Sequence, residues 1–231
     1  MSLANPPLSC YSNHALIIRE GEKPVKRLVT FISAVLAGTA ISIGGAVFLC
    51  TDSRTAGAAL FSVGLFAVCT LGLDLFTGRV CYIFQNPPAY ALNCGLIWLG
   101  NLTGALISGA ALRLTRLDVA GKAAAVSESK LSDGPLSVFI LAVFCNILIY
   151  LAVESYRENP HQLGKYLGLF LGVVVFVQAG FEHCVANMFY FTAAGAWSGK
   201  TVLYLIIMTL GNTLGGVLIP LFKRLRAKTE A

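Results

Sequence analysis

The sequence predicts an all-α membrane protein of six transmembrane helices, in two three-span halves with broken second and fifth spans. Three observations carry that expectation. First, the chain is 56% hydrophobic and only 12% charged, with a mean hydropathy of +0.75, whereas a soluble domain is nearer a quarter charged. Second, its apolar residues gather into six runs, 28–50, 56–84, 90–112, 136–153, 166–194 and 201–222. A span of roughly 20 residues crosses a hydrocarbon core of about 30 Å. Third, two similar interruptions sit inside the second and fifth runs. They are Gly72-Leu73-Asp74-Leu75-Phe76-Thr77-Gly78 and Gly180-Phe181-Glu182-His183-Cys184-Val185-Ala186-Asn187. Each places an acid where hydrocarbon tolerates none, and ionisable groups at that depth face a cavity or a pathway. Paired breaks in matching positions of two halves point to a transport route.

Residues 1–25 are polar and Pro-containing with no apolar h-region, so they read as a cytoplasmic N-terminal segment rather than a signal peptide. Residues 11–18 give it a weak amphipathic helix. The membrane domain follows over 26–225, with halves 26–112 and 135–222 joined by a polar stretch over 113–134, and 226–231 forms a cytoplasmic tail. An odd number of spans per half sets the two halves in opposite sense. The runs 56–84 and 166–194 are too long for one straight helix, so each is expected to be two half-helices joined by irregular backbone. Such backbone survives only when buried in protein or lining an aqueous cavity. Gly72 and Gly180 supply the freedom a break requires.

Small residues mark the third and sixth spans, where they allow close helix approach. There Gly100-Asn101-Leu102-Thr103-Gly104 and Gly211-Asn212-Thr213-Leu214-Gly215 repeat one motif in the last span of each half. Both asparagines lie in apolar sequence, which excludes a glycosylation reading. Asn86-Pro87-Pro88 has no counterpart in the second half and reads as loop punctuation.

The net charge of +6 is a matter of flanks. The end shared by both termini holds Arg19, Lys23, Lys26, Arg27, Arg157, Lys165, Lys223, Arg224, Arg226 and Lys228, a larger basic set than the other end. The positive-inside rule then places both termini in the cytoplasm of a multi-pass cell-membrane protein. Nucleic-acid binding is excluded on the same ground. Seven cysteines, none in a Cys-x-x-Cys pair, read as small apolar packing residues with no disulfide scaffold and no metal. No cofactor motif is present.

At its two breaks the chain resembles the formate/nitrite transporter family, pentameric channels for small monovalent anions. Asp74-Leu75-Phe76-Thr77-Gly78 is similar to the family's acid-Leu-Phe-Thr-small loop. Gly180-Phe181-Glu182-His183 with Ala186-Asn187-Met188-Phe189 is similar to its fifth-span signature, and Gly211-Asn212 with Gly215-Gly216 to its sixth. The resemblance implies a 3+3 inverted-repeat fold similar to the aquaporin fold, and a homopentamer. It also implies positions: Phe61, Leu65 and Phe176 fall where the family has constrictions, Leu75 and Phe76 belong to the loop, and Lys130 and Asn146 fall at family positions before and within the fourth span. Arg79 and Gln178 depart from its pattern.

His183 is the expected centre of the site, since imidazole has the ordinary pKa, about 6.5, nearest neutrality. Burial between apolar constrictions favours the neutral ring, and an arriving anion favours imidazolium. A weak-acid anion would gather at a basic vestibule that includes Lys130, then pass Phe61, Leu65, Phe76 and Phe176 after neutralisation or pairing at His183. Thr77 is expected to hydrogen-bond the anion or the ring, and Asn212 to support the ring. Asp74 and Glu182 are expected to cap backbone N–H groups of the broken helices, with Gly78, Asn146 and Asn187 around them. The expected permeants are formate first, then nitrite, hydrosulfide, acetate or lactate, together with a proton. A proton-coupled symporter is the runner-up. A membrane enzyme lacks a nucleophile, a metal set and a cofactor box, and a water or polyol channel lacks paired Asn-Pro-Ala boxes.

Overall fold

The computed structural model describes residues 23–230, and every regular element among them is helical. The elements in order are α1 (Lys23–Cys50), α2 (Arg54–Leu71), α3 (Phe76–Arg79), a 3-10 segment (Val80–Gln85), α4 (Ala89–Arg113), α5 (Val119–Ser132), α6 (Pro135–Glu158), α7 (Gln162–Ala179), α8 (Cys184–Ala194) and α9 (Gly199–Thr229). Of these, α1, α2, α4, α6, α7 and α9 are long and apolar enough to cross a membrane. The N-terminal helix expected over residues 11–18, and the last residue of the tail, lie outside the described residues.

Local sequence explains where the helices begin and end. Ser53 caps α2 by accepting from the Ala56 N–H at 3.3 Å, and Ser198 caps α9 through Thr201 N–H at 3.2 Å. Pro135 opens α6, where its missing N–H is no loss. At the two breaks the chain turns through left-handed glycines: Gly72 has φ 66° and Gly180 has φ 75°. An L side chain is strained there, so these two positions stop α2 and α7 inside the membrane domain.

The two halves pack by one recipe. In the first, Gly100 and Gly104 of α4 lie on the α1 backbone at Phe31 and Val35 and on the methyl of Ala34. In the second, Gly211 and Gly215 of α9 lie on the α6 backbone at Phe139 and Val143 and on the methyl of Ala142. A Cβ at Gly104 or Gly215 would collide with a main-chain carbonyl, so the close approach depends on glycine. Between the halves, α2 and α7 run antiparallel, because Phe61 meets Phe176 at 5.9 Å and Phe66 meets Tyr166 at 6.2 Å.

The polar stretch 113–134 is more ordered than its composition suggests. It contains α5, capped by Asp118 on the Gly121 N–H, and α5 packs on α8. Val119, Ala123 and Ser127, four residues apart, form its buried stripe. At the opposite end of the fold Glu154 of α6 accepts from the hydroxyls of Tyr82 and Tyr150, each at 3.0 Å, and pairs with Lys223 of α9 at 2.7 Å. Arg224 donates to the Phe84 carbonyl. These bonds tie the 3-10 segment to α6 and α9.

Candidate functional site

Both breaks are built around one buried asparagine. In the first, Asn101 of α4 accepts from the Phe76 N–H at 2.8 Å and donates to the carbonyls of Asp74 at 2.9 Å and Ala34 at 2.7 Å. In the second, Asn212 of α9 accepts from the Cys184 N–H at 2.8 Å and donates to the carbonyls of Glu182 and Ala142, both at 2.8 Å. The partners match place for place: Asp74 with Glu182, Phe76 with Cys184, Ala34 with Ala142. Neither asparagine is exposed. One amide offers an acceptor and two donors from a single carbon, so it can hold the N–H after a break and the carbonyl before it at once.

This geometry corrects two expectations. Asp74 and Glu182 do not cap backbone N–H groups. Asp74 Oδ1 takes Arg79 at 2.6 and 2.8 Å, and Glu182 Oε2 takes Lys130 at 2.6 Å and the Asn187 amide at 2.7 Å. A carboxylate only accepts, so it cannot bridge both sides of a break, whereas it is the natural partner for a cation in a poorly hydrated place. Asn212, for its part, holds the main chain on either side of His183 rather than the ring.

His183 is the N-cap residue of α8, in extended conformation. Its Nδ1 accepts from the Ala186 N–H at 3.1 Å, and its Nε2 lies 3.0 Å from Thr77 Oγ1. The cap assigns the tautomer: with Nδ1 accepting, the ring proton sits on Nε2, which donates to Thr77. A second proton on Nδ1 would break the cap. Phe176 stacks on the ring at 5.6 Å and 18°, with Phe61 edge-on behind it. The imidazole is 2% exposed and Thr77 is fully buried. The Thr77 carbonyl accepts from Asn146 at 3.0 Å and from the Cys81 thiol at 3.2 Å, which fixes the turn that carries the hydroxyl.

A cavity of about 620 Å³ opens above the ring. Its wall includes Lys130, Glu182, Asn187 and His183, with Phe61 and Phe176 beside them. Leu65, Leu75 and Phe76 join Phe61 and Phe176 in one buried apolar cluster. Thus both breaks, both rings and the pair of Lys130 and Glu182 come together, while Gly78 sits under Val153 with room to spare. Gln178 is exposed and does not line the cavity. Sequence reasoning missed Arg54, which lines the cavity, because a cation beside Asp52 and Ser53 looks like an interfacial anchor. It also read Asn101 only as part of a packing motif. The repetition of that motif in the sixth span was the available signal. Among the described residues no cluster of His, Cys, Asp or Glu could hold a metal ion.

An all-helical membrane protein whose two broken helices meet at a buried ring under a basic cavity is a transport protein, and the comparisons agree. A solved FNT family ion channel superposes with a TM-score of 0.77 at 24% identity, covering 83% of this chain and 87% of that one. A pentameric formate channel with formate bound superposes at 0.73 with 26% identity, covering 88% and 98%. The chain belongs to the formate/nitrite transporter family, whose profile matches residues 13–223. It is 34% identical to the uncharacterized transporter YrhG of Bacillus subtilis over 71% of this chain and 68% of that one. It is 26% identical to the formate channel FocA of Haemophilus influenzae over 95% and 93%, and 31% identical to the formate channel BtFdhC of Bacillus thuringiensis over 69% and 68%.

Proposed function

We propose that the chain passes small monovalent weak-acid anions, formate first, across the cell membrane, with uptake of a proton coupled to passage at His183. The observation that carries this reading is the donor pair at the join of the breaks. The Nε2–H of His183 and the hydroxyl of Thr77 lie 3.0 Å apart, and His183 lines a cavity whose wall also carries Lys130 and Arg54. In this reading the ring N–H exchanges Thr77 for an arriving anion, and the two neutral donors beneath two cations suit an anion of a few atoms. The cations concentrate it, and the donors replace part of its water shell. The apolar contacts of Phe61, Leu65, Leu75, Phe76 and Phe176 then oppose a bare charge, because desolvating an ion costs several kcal/mol. A weak acid that takes up a proton at this point avoids that cost. The cap on Nδ1 makes the resting ring a neutral donor, and the imidazolium step requires the ring to leave Ala186.

Asp74, Glu182, Gly78, Asn146 and Asn187 support the two breaks, with Glu182 and Asn187 also in the cavity wall. In this reading the domain spans 26–225 with both termini cytoplasmic, and five copies assemble, as they do in the solved pentameric formate channel. The test is side-by-side uptake of labelled formate, nitrite, hydrosulfide, acetate and lactate into liposomes carrying the purified protein. Its intact mass in detergent is measured on the same sample. Fastest flux for formate and a mass of five chains are expected. Absence of flux for all five ions would reject the reading, and faster nitrite or hydrosulfide would move it to that ion.

A further inference from the structure

Each break carries one acid, and each acid is held by one cation. Glu182 meets Lys130 at 2.6 Å, and Asp74 meets Arg79 at 2.6 Å. The acids occupy matching places, since each gives its backbone carbonyl to the asparagine of its own break. The two pairs are set apart along the axis of α2 and α7. Helix α2 leaves the cavity wall at Arg54 and runs 18 residues before Gly72, about 27 Å at the helical rise. Helix α7 runs 18 residues in the other direction and arrives at the cavity with Gly180. Asp74 and Arg79 therefore lie across the apolar contact of Phe61 and Phe176 from Lys130.

The pairs also differ in origin. Lys130 arrives on α5, a helix apart from the break it serves, whereas Arg79 belongs to α3, within the first break itself. The side chains of Asp74 and Arg79 are 14% and 24% exposed, so water and small ions reach them. An ionised carboxylate repels an approaching anion, and an adjacent guanidinium, which stays charged at any working pH, cancels that field.

We infer that Arg79 is the resident counter-cation of the second mouth: by neutralising Asp74 it lets a monovalent anion reach Leu75 and Phe76 from the side opposite Lys130. The inference rests on the anion-passage reading above. Arg79 acts through Asp74, so it is a positioning residue, and its removal can be repaired by removing the acid as well.

The experiment compares labelled formate flux in proteoliposomes for the unaltered protein, Arg79→Gln, Asp74→Asn and the double variant, with assembly checked by size. Arg79→Gln is expected to slow flux by about tenfold, and Asp74→Asn added to it to restore flux to within about twofold. Unaltered flux in Arg79→Gln overturns the inference. So does a double variant as slow as the single one, which would assign Arg79 to bracing alone. Should Arg79→Gln not assemble, Asp74→Asn alone decides: flux at least equal to the unaltered protein supports the inference, and a tenfold loss overturns it. Loss of flux in the unaltered protein for every small anion would instead sink the functional reading.

Discussion

His183 does two jobs with two nitrogens, and the division follows from where the chain puts it. As the first residue before α8 it uses Nδ1 to satisfy the Ala186 N–H, a group that a helix start otherwise leaves unpaired. That leaves Nε2–H for Thr77. The motif around His183 and Thr77 was legible in the sequence, and the hydroxyl meets the ring as one of the two partners expected for it. The cap role was hidden, since histidine is not a usual capping residue and Glu182 beside it was the more obvious choice. The contact is testable. Thr77→Val keeps the shape and removes the hydroxyl, leaving the ring N–H buried without a partner, which costs roughly 1–3 kcal/mol. A fall of about tenfold or more in anion flux is expected, with Thr77→Ser close to normal. Equal flux in Thr77→Val would remove the hydroxyl from the pathway.

At the level of elements, the interrupted helices were legible and their braces were not. Glycine, acid and polar residues inside apolar runs announce a break, because hydrocarbon permits them nowhere else. What closes a break must be recruited from a distant helix, and local sequence does not reveal the partner of Asn101 or Asn212. The helix α5 was hidden for a different reason. Its buried stripe is only Val119, Ala123 and Ser127, small or polar residues that leave the segment looking like a linker. Yet α5 carries Lys130, so it presents the cavity with its cation. The asparagines predict a measurable symmetry. Asn101→Ala and Asn212→Ala each strand one buried N–H and two carbonyls, and each should lower stability by about 2–4 kcal/mol. Thermal unfolding in detergent reads this. A melting temperature unmoved in either variant would show that its break is held by something else.

On the scale of the whole molecule, six helices of spanning length were written in the hydropathy, and the paired breaks and repeated Gly-Asn motif announced matching halves whose contacts emerge in three dimensions. The match shows in the glycines of α4 and α9 on α1 and α6, and in the two asparagine braces. Such a design puts the breaks at opposite ends and folds both back to one point, where Thr77 meets His183. The cation at each end then sits beside an acid, and the apolar contact lies between. In the proposed function one ring stands in the path of the permeating ion, so formate flux across liposomes as a function of pH is the most direct measurement. The unaltered protein is compared with His183→Phe and His183→Asn from about pH 5 to pH 8, the span around the ordinary imidazole pKa. The expected result is flux that rises as pH falls in the unaltered protein and a loss of most flux in His183→Phe. His183→Asn, which keeps both a cap acceptor and a donor, should lie in between. Flux in His183→Phe equal to that of the unaltered protein at every pH would contradict a role for the ring in permeation.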